Sequence, residues 1–221
     1  MGYLPVFVDL TDRTCLVVGG GTVAAGKVKV LLEAGARVVV VAPRIGADVA
    51  ELASARGASL EILRREYRPE DLPEGTALVF AATDDPDVQE AVRRDAGVRG
   101  VWMNAVDEPA RCGFIMPAVL RRGRIAVAIG TGGSSPALAR HLRDRLENWI
   151  GPEFEAAGDH LADLRGRLRP GPRRQRVLSR LVESGLVEAF REGDRHRVTE
   201  LTESALAELD APGDARPDGE A

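Results

Sequence analysis

The stretch Val17-Val18-Gly19-Gly20-Gly21-Thr22-Val23-Ala24 leaves this chain few folds to choose from. An apolar run from Cys15 to Val18 enters closely spaced glycines, and a helical pattern from Val23 to Ala34 leaves them. The order reads as strand, tight turn, helix, with Gly19, Gly21 and Ala24 at the marked places of the G-x-G-x-x-G/A fingerprint. Gly19 permits the tight turn, Gly21 lets the backbone approach a pyrophosphate with no Cβ in the way, and Ala24 lets the helix lie close to the sheet. The start of the helix then offers unpaired N–H groups and a positive dipole end to phosphate. Glycine-rich turns also join strands to helices with no ligand, so the fingerprint takes its weight from the elements that flank it.

Upstream, Tyr3 to Leu10 is a short apolar segment, and Asp12-Arg13 reads as a turn into the first strand. The helix after the fingerprint ends near Gly35, a suitable residue just past a helix end. Arg37-Val38-Val39-Val40-Val41-Ala42 is a β-branched run of the kind covered on both faces in parallel sheets, and Pro43 stops it. A carboxylate is expected at this strand end to hold the ribose hydroxyls of NAD. The chain has Pro43-Arg44 instead, and Arg44 is either a ligand for a 2′-phosphate or a solvated loop residue.

A helix is expected from Ile45 to Arg56 and strands over Ser59–Leu63 and Thr76–Thr83. Asp84-Asp85-Pro86 then opens a helix over Asp87–Asp95, and Gly100–Ala105 makes a further strand. In an open α/β sheet, ligands bind beyond the carboxyl ends of the strands. Gly21, Pro43, Thr83 and Asp107 all fall at such ends.

From Pro109 to Arg143 the charge changes sign. This stretch has no Asp or Glu but carries Arg111, Arg121, Arg122, Arg124, Arg140 and Arg143, in a chain of net charge −4. It also holds Gly130-Thr131-Gly132-Gly133-Ser134-Ser135-Pro136, ahead of a helix from Ala137 to about Trp149. That segment is either a second anion cradle or a loop with a Ser N-cap and Pro in the first turn. Glu153 to Leu209 is helical in pattern, broken at Pro170-Gly171-Pro172. Its stripe of Val177, Leu178, Leu181, Leu186, Val187 and Phe190 suits packing between helices. His141 is expected at the surface, and His160 and His196 read as solvated helix residues. Residues 210–221 form a polar tail expected to be disordered. The negative net charge argues against a nucleic-acid partner, and no apolar run suits a membrane span or a signal peptide. A cytoplasmic protein is expected. Cys15 and Cys112 have neither disulfide nor metal spacing.

Taken together, these segments resemble the precorrin-2 dehydrogenase/sirohydrochlorin ferrochelatase family, the module that completes sirohaem synthesis alone or fused to a methyltransferase. The resemblance is carried by Leu4-Pro5-Val6-Phe7 and Cys15 to Ala24, then Ala81-Ala82-Thr83-Asp84-Asp85 and Asn104-Ala105-Val106-Asp107. Phe114-Ile115-Met116-Pro117-Ala118 and Gly132 to Arg140 complete it, and it extends to about Leu206. It implies an α/β fold, with a Rossmann-like parallel-sheet domain over 1–113, a dimerisation region over 114–150 and a helical domain over 151–209.

It further implies NAD-linked oxidation of precorrin-2 to sirohydrochlorin, followed in bifunctional members by insertion of Fe2+ or Co2+ at the same site, in a homodimer. Asp107 falls on the catalytic position. Thr22, Val23, Pro43 and Arg44 fall on nucleotide-contacting positions, beside Gly19, Gly21 and Thr83. Candidate substrate contacts are Asn104, Arg111, Thr131, Gly132, Ser134, Ser135 and Arg140. Thr131 stands where a fused member has a phosphorylated serine, a departure that leaves a regulatory role for this position open. No methyltransferase module follows, so the later steps alone are expected.

The chemistry fits those residue types. A macrocycle rimmed with carboxylates calls for guanidinium forks, and its oxidation calls for a base such as Asp107 to take a proton. Metal insertion removes further N–H protons, which the same carboxylate suits. The metal is expected as a substrate, with no resident metal site. The competing reading is a non-catalytic NAD(H)-binding sensor on the same fold. It would be expected to have lost Asp107 or the arginine-rich stretch.

Overall fold

The computed structural model describes residues 2–106, 108 and 111–207. Asp107, Pro109 and the 210–221 tail singled out above lie outside the described residues. The chain forms two compact units, Met1–Met116 and Pro117–Ala221.

The first unit is a parallel sheet in the order β3-β2-β1-β4-β5. Its strands are β1 (Thr14–Val18), β2 (Arg37–Val41), β3 (Leu60–Leu63), β4 (Leu78–Ala81) and β5 (Trp102–Ala105). Helices α1 (Thr22–Glu33), α2 (Ala47–Arg56) and α3 (Pro86–Arg99) connect them. Alternation along β1 divides the core. Cys15 and Val17 join Val38, Val40 and Phe80 beneath α1 and Val49 of α2. Leu16 and Val18 join Val41, Val79 and Met103 beneath Val92 and Ala96 of α3. With both faces covered, the strands are nearly all apolar, and each fully buried Val or Leu contributes about 1.5–3 kcal/mol. Strand order reverses between β1 and β4, which makes the crevice at their carboxyl ends the place for a ligand.

Several expected boundaries move. The strands over 76–83 and 100–105 shorten to β4 and β5. The helix expected to stop at Asp95 runs on to Arg99, because Ala96 is buried and Gly100 at φ +64° ends it. The helix expected from Ile45 begins at Ala47, because the Gly46 N–H donates to the Gly20 carbonyl (2.8 Å). Gly35, at φ +80°, does follow α1 as its left-handed residue.

A half-buried ion pair fixes the loop after β3. Asp71 receives the Arg65 guanidinium on both carboxylate oxygens and the Arg68 backbone N–H at 2.8 Å. Burial opposes ionisation of Asp71, but the Arg65 fork and the Arg68 N–H outweigh it and hold the carboxyl below its ordinary range. A group whose pKa is depressed by folding stabilises above its unfolded value and loses that contribution as pH falls. Asp71→Asn is therefore expected to cost about 1–3 kcal/mol at neutral pH. The difference from wild type should shrink below about pH 4, as measured by urea unfolding across a pH series.

The second unit opens with a hairpin of β6 (Ala118–Arg122) and β7 (Ile125–Ile129), in register from Ala118↔Ile129 to Arg122↔Ile125. No strand was expected here. The two-residue turn Gly123-Arg124, with Gly123 at φ +51°, is the hairpin signal that reveals it. Helix α4 (Pro136–Trp149) follows, then α5 (Pro152–Arg167), α6 (Pro172–Glu183), α7 (Leu186–Glu192) and α8 (Arg195–Ala207). The expected apolar stripe packs between these helices, with Val177, Leu181 and Leu186 fully buried. His160 corrects its expectation. It is half-buried, lies edge-on to Phe190 at 5.8 Å, and its Nε2 meets Thr202 Oγ1 at 3.0 Å. The Thr202 hydroxyl already donates to the Val198 carbonyl, so it is placed to accept from the imidazole. No helix among the described residues is long and apolar enough to cross a membrane.

Candidate nucleotide site

The site is built on the turn between β1 and α1. Gly19 is buried at φ +127°, and a Cβ there would lie 2.0 Å from the Ala82 carbonyl oxygen. The turn is tied on both sides. The Gly19 N–H donates to the Val41 carbonyl (2.9 Å), and the Ala82 N–H donates to the Val18 carbonyl (2.7 Å). Gly21 is the opposite case: it is exposed, and no atom lies within 4 Å of the position its Cβ would take. Sheet packing does not need a glycine there, which leaves the open space to a ligand.

Gly21 caps α1 with no side-chain hydrogen bond, and the first turn has no acidic residue. The N–H groups at the start of α1, Thr22 and Val23 among them, therefore have no intrahelical acceptor and meet no carboxylate. Thr22 and Val23 are exposed, and Ala24 is fully buried against the sheet. A bare cradle of backbone donors at a positive helix end fits a dinucleotide pyrophosphate.

The neighbouring strand ends complete the rim. Gly20, an unmarked position of the fingerprint, also has no room for a side chain, since a Cβ there would lie 2.2 Å from the Arg44 carbonyl oxygen. The Pro43-Arg44 loop thus lies directly on the glycine turn, with both residues exposed. Thr83 follows β4 and is half-buried, with its hydroxyl accepting from the Asp85 N–H (3.3 Å). Buried Gln89 donates from Nε2 to the Thr83 carbonyl (2.7 Å), fixing this turn from α3. Sequence reasoning singled out neither Gly20 nor Gln89. The fingerprint treats Gly20 as free, and only the packed loop shows that it is not.

The remaining candidates are distributed over both units. Asn104 is buried on β5, where its amide donates to the Phe114 carbonyl (3.0 Å) and contacts Cys112 Sγ. Arg111 pairs with Glu108 at 2.7 Å and lines an open cavity of about 440 Å³ with Glu90, Arg93, Cys112 and Gly113. In the second unit, Ser135 caps α4 by accepting from the Leu138 N–H (3.1 Å), ahead of Pro136 in the first turn. The Thr131 hydroxyl accepts from the Ser135 N–H and donates to the Ser135 carbonyl, closing the turn that holds Gly132 and Ser134. Both of these hydroxyls are engaged in the loop's own structure. Gly132, Ser134, Arg140 and His141 are exposed.

Of the other arginines in the stretch, Arg122 pairs with Glu147, Arg124 with Asp159 and Arg143 with Asp144. Cys15 is buried in β1, which pushes its thiol up to about 11 and suits a core residue. Among the described residues no group of three or more His, Cys, Asp or Glu side chains gathers as metal ligands.

Comparison with known proteins agrees with this geometry. A family model described as "Putative NAD(P)-binding" matches residues 6–118, and one described as "Sirohaem biosynthesis protein central" matches residues 122–148. The chain is 38% identical over 211 residues to a sirohaem synthase of Pseudomonas paraeruginosa, covering 94% of this chain and 45% of that protein. It is 42% identical over 219 residues to a sirohaem synthase of Methylococcus capsulatus, covering 96% and 46%. The chain thus spans less than half the length of these curated relatives. A solved structure titled "SirC, precorrin-2 dehydrogenase" superposes with a TM-score of 0.75 at 26% identity, covering 92% of this chain and 98% of that one.

Proposed function

This chain belongs to the putative NAD(P)-binding family, in the form found in sirohaem biosynthesis proteins, and from that premise we propose that it oxidises precorrin-2 to sirohydrochlorin. The observation that carries the reading is the open glycine cradle at the reversal of strand order, with α1 aimed at it. NAD, when bound, supplies the acceptor for the hydride that the substrate loses. The chain must then hold an anionic macrocycle and take a proton from it.

We assign the proton to Asp107, which follows β5 in the chain. The substrate contacts we propose are Asn104, Arg111, Thr131, Gly132, Ser134, Ser135 and Arg140, with the Arg111 and Arg140 guanidinium groups for the carboxylates and the exposed Ser134 hydroxyl as a further donor. A homodimer is part of the same proposal.

Asp107→Ala is expected to lower turnover by about 10²–10⁴-fold while NAD affinity is retained. The check is an anaerobic absorbance assay with precorrin-2 and NAD, beside calorimetric titration with NAD. Activity near wild type in the variant would remove Asp107 from the reaction. If the folded wild-type protein binds NAD but leaves precorrin-2 unchanged, the sensor reading takes its place. A second arm adds Fe2+ or Co2+. Enzyme-dependent metallation assigns insertion to the same chain, and its absence restricts the chain to dehydrogenation.

A further inference from the structure

The adenosine end of the cradle is flanked by arginines. The position that holds a ribose diol in NAD-selective sheets, just past β2, has no carboxylate but Pro43-Arg44. The next strand out also ends in cations. Val41 of β2 pairs with Leu63 of β3, and the Ala42 N–H donates to the Leu63 carbonyl (3.2 Å). The chain after Ala42 and the chain after Leu63 therefore leave the sheet side by side, as Pro43-Arg44 and Arg64-Arg65.

These arginines differ in what holds them. Arg65 is engaged by Asp71, whereas Arg44 and Arg64 are exposed with no ion pair among the described residues. The nearest carboxylates along the chain, Asp48 in the first turn of α2 and Glu66 beyond Arg65, are also exposed. The Arg44 backbone is packed against the glycine turn. Gly46 N–H donates to the Gly20 carbonyl, and the Arg44 carbonyl oxygen abuts Gly20, so the arginine's stem is anchored beside the pyrophosphate cradle.

We propose that Arg44 and Arg64 form a cationic seat for a 2′-phosphate on the adenosine ribose, so that this site accepts the 2′-phosphorylated dinucleotide NADP as well as NAD. The inference rests on the nucleotide site described above and adds its selectivity. Two effects act together. Without a carboxylate at the β2 end, NAD loses a partner for its diol, and NADP loses the repulsion that normally excludes it. Guanidinium forks then match a phosphate dianion with charge-assisted hydrogen bonds.

The test is calorimetric titration of the wild-type chain with NAD and with NADP, repeated for Arg44→Ala, Arg64→Ala and Arg44→Asp. NADP is expected to bind wild type at least as tightly as NAD. Arg44→Ala should raise the NADP-to-NAD ratio of Kd by about 10-fold, and Arg64→Ala should move it the same way. Arg44→Asp should raise it further, by about 100-fold, because it places a like charge against the phosphate.

NADP binding to wild type more than about 10-fold weaker than NAD would overturn the inference and leave the nucleotide site standing. Equal losses for both dinucleotides in Arg44→Ala would overturn the seat as well. Failure of the folded wild-type protein to bind either dinucleotide would instead overturn the nucleotide site itself.

Discussion

Gly21→Asp is expected to abolish NAD binding and leave the fold intact. Gly21 has φ −85°, which any residue adopts, and the space around its Cβ position is open. The new side chain therefore meets nothing in the protein. It does place a carboxylate at the mouth of α1, where pyrophosphate charge would sit, and it supplies the cap that the helix lacks. Both effects oppose a bound dinucleotide. Affinity should fall by at least ~100-fold, and the Tm without ligand should stay within a few degrees of wild type or rise slightly. Calorimetry and thermal unfolding of the same sample check both halves. Undiminished NAD affinity would place the pyrophosphate elsewhere.

Gly19→Ala is expected to do the reverse and damage folding. At φ +127° an L-residue is strained, and its Cβ would meet the Ala82 carbonyl oxygen at 2.0 Å. That oxygen belongs to the backbone just past β4, so no side chain can swing aside. Either the β1 and β4 ends separate or the turn rebuilds, and both disturb ladder bonds of the two buried central strands. A loss of about 3 kcal/mol or more follows, with a fall in Tm of about 10 °C. A wild-type Tm in Gly19→Ala would mean that the turn is looser than its geometry. On these expectations Gly19 is required by the fold and Gly21 by the ligand, and the two variants separate those demands.

Much of the first unit was legible along the chain. Apolar runs such as Val38–Val41 are readable because a strand covered on both faces must be apolar at every position. The cap at Asp85 and the stop at Gly35 are local geometry and were equally plain. The hairpin at Ala118–Ile129 has one local signal, the turn Gly123-Arg124. His160 departs from a solvated helix position because its partners, Thr202 and Phe190, lie on other helices far along the chain.

Strand, glycine turn and helix, and with them the cradle we assign to phosphate, can be read along the chain, since that motif is closed over a few adjacent residues with backbone rules of their own. The sequence also placed Arg44 where a carboxylate belongs. Packing sets a backbone oxygen against Gly20, gives Arg65 to Asp71 and not Arg64, and brings Arg44 and Arg64 to adjacent strand ends. Strand order in a parallel sheet is set by crossovers and by burial across the whole unit. Which loops become neighbours at its edge is therefore a property of the packed sheet, and no stretch of the chain contains it.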